Sequence, residues 1–420
     1  MTKLAVEMDT QFKAAAKVQD PTKRQAAQLA YYRAMLDLRQ QAVTRSLLRD
    51  IYSSNQLQEQ MTWFWFNHFN VQAEKRDIRA MVGDYEDQAI RPHALGNFKD
   101  LLRAADLHPA MLRYLDNDQN ATGHINENYA REILELHTMG VGSGYSQKDI
   151  EEMARILTGV GVSLSPDPPK LKPEEQAAYV RRDLMEFNPA RHDFGEKTVL
   201  GRKVPGAGLS EFEDMLDVLA RQPATARYIS RKLALFFIDD APPKLVDRMS
   251  KAFLAHDGDI PSVLEILFHS REFQAASRMK AKDPVHYVVS AVRLTYAAGP
   301  PVTEAAPVQE WIERLGQPLY GRETPDGYPL AASAWSAPGQ LTAMFEVARQ
   351  IGSGSPNLYR TEGESKNTPT RPTPPALRST LNERQVSPAL ASKTKDVLAK
   401  ARSPAEWNAL FLSSPEFLHR

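Results

Sequence analysis

The chain has 420 residues, 42% hydrophobic and 25% charged, with 52 Lys+Arg set against 52 Asp+Glu. That composition excludes a disordered chain, and a formal net charge of zero removes the global positive field that draws proteins to nucleic-acid phosphates, so no nucleic-acid partner is expected. The absence of cysteine excludes disulfides, thiolate nucleophiles and cysteine-held zinc or iron–sulfur centres without fixing the compartment. No apolar run approaches the ~18 residues of a transmembrane segment, and the opening twenty residues lack the basic-then-apolar order of a secretory signal.

The pattern along the chain predicts an all-α protein: a large multi-helical globular domain with long irregular loops and a small hairpin. Residues 1–20 read as an N-terminal extension. Asp20-Pro21 then supplies a cap and a proline at the first helical position, and Leu29, Tyr32, Met35, Leu38, Val43 and Leu47 recur at helical steps, with one break expected. Gln56 to Phe69 carries the run Trp63-Phe64-Trp65-Phe66, which predicts a helix buried on several sides. Phe98 to Leu115 reads as one apolar helix ending in the turn-prone Asp116-Asn117-Asp118. Asn126 to Thr138 is a helix stopped at Gly140. Ser146 and Asp149 form a capping pair for the next, which Thr158-Gly159 terminates.

Residues 163–205 read as an irregular excursion with a short hairpin. Helices resume at 210–220, 224–237, 244–255, 263–268, 284–298 and 311–315, and Gln317 to Gln340 reads as a packed loop. The principal domain is bounded at 21–351. Gly352 to Arg384, rich in Ser, Thr, Pro and Gly, reads as flexible, and residues 385–420 as a helical part docking back on the main domain.

The densest polar constellation lies on the Asn126–His137 helix. Glu127 and Arg131 stand four apart, as do Asn128 and Glu132, so each pair shares a side on which a hydrogen-bond network can form. Such a network either joins packed helices or forms a catalytic cluster with Glu132, His137, Arg131, Glu127 and Asn128. His137, His192 and Asp193 are candidate ligands for a divalent metal, although neither an HExxH arrangement nor a short two-histidine spacing is present. Asn67, His68, Asp116, Asn117 and Arg155 are candidate substrate-binding residues, with helix caps, turns and ion pairs as their structural alternatives. Trp63 to Phe66 and Trp335 are either core packing or pocket walls.

Several blocks together resemble a large bacterial family, domain of unknown function 1800. They are Met61–Asn70, Ala94–Leu102, His108–Leu112, Tyr114–Asn117, Asn126–His137, Gly142–Gly159, Phe187–Gly201 and Pro223–Leu233, followed by Asp257–Ile260, Ser270–Phe273, Lys282–Pro284 and Gly316–Pro318. The resemblance implies a mostly helical protein, often exported to the periplasm or beyond and encoded beside a sulfatase-like companion, but no established reaction. The family-like polar positions are Asn67, His68, Asp116, Asn117, Asn126, Glu127, Asn128, Arg131, Glu132, His137, Arg155, His192 and Asp193. Residues 319–334 depart from the family's usual Gly-Trp-containing loop. Two readings follow: a helical protein without assigned chemistry, or an envelope-associated hydrolase, metal-assisted or acting on carbohydrate. In the second, Glu132 or His137 is the base and Arg131 binds an anionic oxygen.

Overall fold

A computed structural model describes residues 2–276, 279–296, 299–359, 373–383 and 390–420. The stretch expected to be flexible therefore falls partly, at 360–372 and 384, outside the described residues. The architecture is mostly helical with minor strands, and the expected all-α class with a small hairpin holds.

Helix α1 (Thr2–Lys17) lies along α2 (Pro21–Tyr52), which runs 32 residues without the expected break, capped by Asp20 accepting from the Lys23 N–H at 3.0 Å. Helix α3 (Gln56–His68) carries the aromatic run into the centre, where Phe64, Trp65 and Phe66 are buried. The helix expected over 98–115 is two, α4 (Phe98–Asp106) and α5 (Pro109–Tyr114). Pro109 has no N–H to offer and pushes His108 out of the helical region; the freed His108 side chain then caps α5, accepting from the Ala110 N–H at 3.1 Å.

The polar helix also divides. Helix α6 (Asn128–Glu132) opens into a wider π-helical turn, Ile133–Thr138, in which the Met139 N–H bonds the Leu134 carbonyl five residues back at 3.0 Å. That widening rotates His137 relative to where a regular helix would put it, and such turns recur at functional sites. Gly140, at φ +87°, ends the segment, and a Cβ there would meet the ring of Tyr228 at 2.9 Å. Helix α7 (Gln147–Ile156) has the expected Ser146–Asp149 capping box.

The 163–205 excursion contains more sheet than expected. Strands β1 (Val160–Val162), β2 (Val180–Arg182) and β3 (Met185–Phe187) form an antiparallel sheet in the order β1-β3-β2, and β4 (Lys197–Val199) pairs with β5 (Arg202–Val204) as a hairpin. Helices α8 (Leu209–Ala220), α9 (Pro223–Ile238), α10 (Pro243–Ala255) and α11 (Ile260–Phe268) follow, then α12 (Pro284–Thr295) and α13 (Ala306–Arg314).

The loop expected to run from 317 to 340 is shorter, because Pro338 begins α14 (Pro338–Ser353). Met344, Val347, Ala348 and Ile351 give that helix a buried stripe at helical spacing, against which α15 (Pro404–Leu412) packs.

Candidate active site

Four segments remote in sequence meet behind the aromatic run: the end of α3, the end of α4, the π-helical turn and the middle of α9. His68 is buried, and its Nε2 lies 3.1 Å from the His137 carbonyl oxygen. A carbonyl only accepts, so Nε2 carries the proton and Nδ1 presents its lone pair. Lys232 Nζ sits 2.8 Å from that Nδ1 and donates to it. Burial first, then the charge of Lys232, drives the His68 pKa well below its usual value, so the imidazole is neutral.

Below it, His137 Nδ1 stands 2.8 Å from Asp106 Oδ1, both side chains fully buried. The contact lacks hydrogen-bond geometry. His137 Nε2 and Asp106 Oδ2 also have no partner among the described residues.

At the outer edge are two ionisable groups without an ion-pair partner among the described residues. Lys232 is half-buried and has no carboxylate within ion-pairing range among the described residues; burial lowers its ammonium to about 8, against the opposing pull of Asp326. Glu132 is half-buried too and has no hydrogen-bond or ion-pair partner among the described residues. Its pKa is raised, chiefly by burial, with His137 opposing and Glu135 and Asp326 adding to the rise. The Tyr228 ring links them: Lys232 Nζ lies 5.5 Å from its centroid, and its hydroxyl, pushed up to about 12 mainly by burial, feels the charges of Asp326 and Glu132.

The loop Arg322–Tyr328 closes this side. Asn67 donates to the Tyr328 carbonyl at 2.9 Å and accepts from its N–H at 2.6 Å. Asn70 donates to the carbonyls of Arg322 and Thr324, and the Tyr114 hydroxyl to that of Glu323 at 2.7 Å. Gly327, at φ +74°, lets the loop approach so closely that a Cβ would stand 2.0 Å from the Asn67 carbonyl oxygen. Asn67 therefore holds this loop with both ends of its amide.

The other sequence candidates lie in separate networks. Arg131 is shared among Glu127 at 3.4 Å, Glu135 at 3.5 Å and Gln147 at 3.1 Å on a half-exposed surface. Asn128 donates to the Leu115 carbonyl rather than to Glu132. Asp116, left-handed at φ 57°, pairs with Lys75 at 2.8 Å. Asn117 satisfies the carbonyls of Leu157 and Val160, and Asn126 that of Asp116. Arg155 grips Asp193 through two nitrogens and Glu152 at 2.7 Å.

His192 faces the Thr158 carbonyl and Glu211, whose carboxylate also takes Lys197. The structure thus does not bring His137, His192 and Asp193 together, and no cluster of three His, Cys, Asp or Glu among the described residues could hold a metal ion. Nor is any helix among them long and apolar enough to cross a membrane.

A family model described as "Protein of unknown function (DUF1800)" matches residues 3–419. The chain belongs to that family. No curated protein and no solved structure matches it.

Open volume and chemistry do not coincide in this DUF1800 chain. A groove of about 1190 Å³ runs along α2 past Arg45, Arg49 and Arg91. Its arginines are already tied to Asp87 and Glu59, and none of the residues expected from sequence lines it. Unpartnered ionisable groups decide for the Lys232–Glu132 side.

Sequence reasoning missed Lys232, Asp106, Tyr228 and Asn70. For Lys232 a signal existed: it stands seven after Thr225, three after Ile229 and four before Phe236, in the middle of the buried face of α9. Asp106 gave none, since an acidic residue at the end of a helix reads as a solvated one.

Proposed function

We propose that this protein is a hydrolase in which Glu132 is the general base and the Lys232 ammonium the general acid, with His68 holding Lys232. The carrying observation is that Lys232 lies over the Tyr228 ring, that the charge of Glu132 reaches the Tyr228 hydroxyl, that neither group has an ion-pair partner among the described residues, and that their surroundings move the carboxyl up and the amine down. Between those two values the carboxylate and the ammonium are both the populated forms. Glu132 can then take a proton from water as it attacks an ester, amide or glycosidic bond, and Lys232 can give one to the departing or oxyanionic oxygen.

His137 supports this reading as a positioning residue: its carbonyl fixes the His68 tautomer, and that tautomer turns Nδ1 toward Lys232. Arg131 is left outside it, since Glu127, Glu135 and Gln147 occupy its guanidinium. An envelope carbohydrate is the first substrate class to try.

The test is turnover of chromogenic glycoside and ester panels by the protein and its Glu132→Gln and Lys232→Met variants, with melting curves recorded alongside. Both variants should lose about 10²–10⁴-fold in rate while staying folded. The profile of the parent should be a bell, falling in acid as Glu132 protonates and in base through about pH 8 as Lys232 deprotonates. Turnover that survives both substitutions, or loss that tracks unfolding, would end this assignment.

A further inference from the structure

We infer that Lys232, in its unprotonated form, is a covalent acceptor for aldehydes and ketones, forming an imine at the edge of the site. The inference shares Lys232 with the hydrolase reading but uses the opposite protonation state.

The geometry carries it. One Lys232 N–H is taken by His68 Nδ1 at 2.8 Å, a neutral acceptor that does not stabilise the ammonium as a carboxylate would. No carboxylate lies within ion-pairing range among the described residues, and the longer-range pull of Asp326 is outweighed by burial, which disfavours the charged form. The residue keeps part of its surface in solvent, and the neutral amine that donates one N–H to His68 still carries its lone pair.

Glu132, whose charge reaches the Tyr228 hydroxyl and which has no partner of its own among the described residues, is assigned as the acid for the dehydration step. The ammonium lowered to about 8 supports the picture: near neutral pH a far larger share of Lys232 is unprotonated than of an ordinary lysine.

The chemistry balances without a further reactant. The Nζ lone pair attacks the carbonyl carbon, the C=O π pair moves to oxygen, and a proton shifts from nitrogen to oxygen to give a carbinolamine. Glu132, having taken up a proton from solvent, passes it to the hydroxyl, water leaves, and the nitrogen lone pair closes the C=N bond of the iminium.

Two other lysines separate this inference from a low pKa alone. Lys280 is also lowered to about 8, mainly by burial, but it is inaccessible and donates to the carbonyls of Leu235 and Leu330. Lys282, lowered to about 7 by burial and by Arg420, packs 3.8 Å from the Phe417 ring centroid. Lys280 also lies 3.6 Å from Asp239, an ion pair that favours its charged form and that Lys232 lacks among the described residues.

The experiment incubates the full chain at pH 7.5 with glyceraldehyde or glyoxylate, reduces with borohydride, and maps adducts by peptide mass. Lys232 should be modified at least about tenfold faster than any other lysine, and Glu132→Gln should slow its modification while leaving surface lysines unchanged. Lys232→Arg, which keeps length and charge, is the control for a folded protein without the nucleophile. Adducts on Lys282 or on exposed lysines, with Lys232 unmodified, would overturn the inference. If the bell-shaped hydrolysis persists in that case, the hydrolase reading stands by itself. Competitive acetylation bears on both readings at once: a Lys232 midpoint near 10 in place of 8 removes both.

Discussion

The regions around His192 and around His68 each combine a histidine, a carboxylate and a lysine, and they differ in whether their polar atoms are matched. Around His192, Glu211 receives His192 at 3.0 Å, Lys197 at 2.6 Å and the N–H groups of Ala207 and Gly208. Burial alone would raise its carboxyl, yet these donors outweigh it and the pKa is lowered. Around His68, by contrast, Lys232 and Glu132 have no ion-pair partner, and Asp106 and His137 leave polar atoms without hydrogen-bond partners, among the described residues. A saturated network is what ties the strand excursion to α8; an unsaturated one has capacity left for a substrate. Density of polar residues does not distinguish the two, but pairing does.

The comparison is broken most severely at its saturated end. Glu211→Ala leaves Lys197 and His192 buried without their anion and should destabilise the fold by about 3–5 kcal/mol in denaturant titration, with Glu211→Gln costing less. Because the folded pKa lies below the unfolded one, the carboxylate's contribution is present above about pH 4 and lost as pH falls through the folded value. The gap between parent and variant should therefore close in acid, and a small, pH-independent loss would mean the two regions do not differ as described.

Gly327→Ala tests the loop that frames the unsaturated region. It puts a Cβ at positive φ and against the Asn67 carbonyl, and should cost about 2 kcal/mol or more in thermal or chemical unfolding. An unchanged melting curve would show that the loop does not depend on this close approach.

The smallest effect sharpens the contrast. Lys232 has its folded pKa depressed to about 8, so between there and about 10.4 the unfolded chain binds the extra proton and stability rises with pH. Lys232→Met should abolish that rise, on the order of 1 kcal/mol once partial solvent exposure is allowed for, while leaving neutral-pH stability equal or higher. A variant less stable at pH 7 would place Lys232 among the structural residues, with Lys197.

Much of the fold was legible from sequence because helices are local. The Ser146–Asp149 box, the Asp20-Pro21 start and the stop at Gly140 each depend on residues within one turn. The break at His108-Pro109 was equally local and carried its own signal, as did the buried stripe beginning at Pro338, which stood inside a segment read as loop. The π-helical turn at Ile133–Thr138 left no comparable trace, because one additional residue per turn alters which neighbours a side chain meets without altering composition.

For the candidate site, sequence determined which residues were chemically able, and it identified His68, Glu132 and His137 among them. It could not determine which of them would find partners. Lys232 meets His68 across 164 residues, and Asn67 meets Tyr328 across 261, contacts that helical periodicity does not encode. Packing left His192 matched by Glu211 and left Lys232 and Glu132 without an ion-pair partner among the described residues, whereas Arg131 was matched mostly by neighbours on its own helix. Tertiary packing, which sets both burial and the distance to the next charge, decided which groups are free to react.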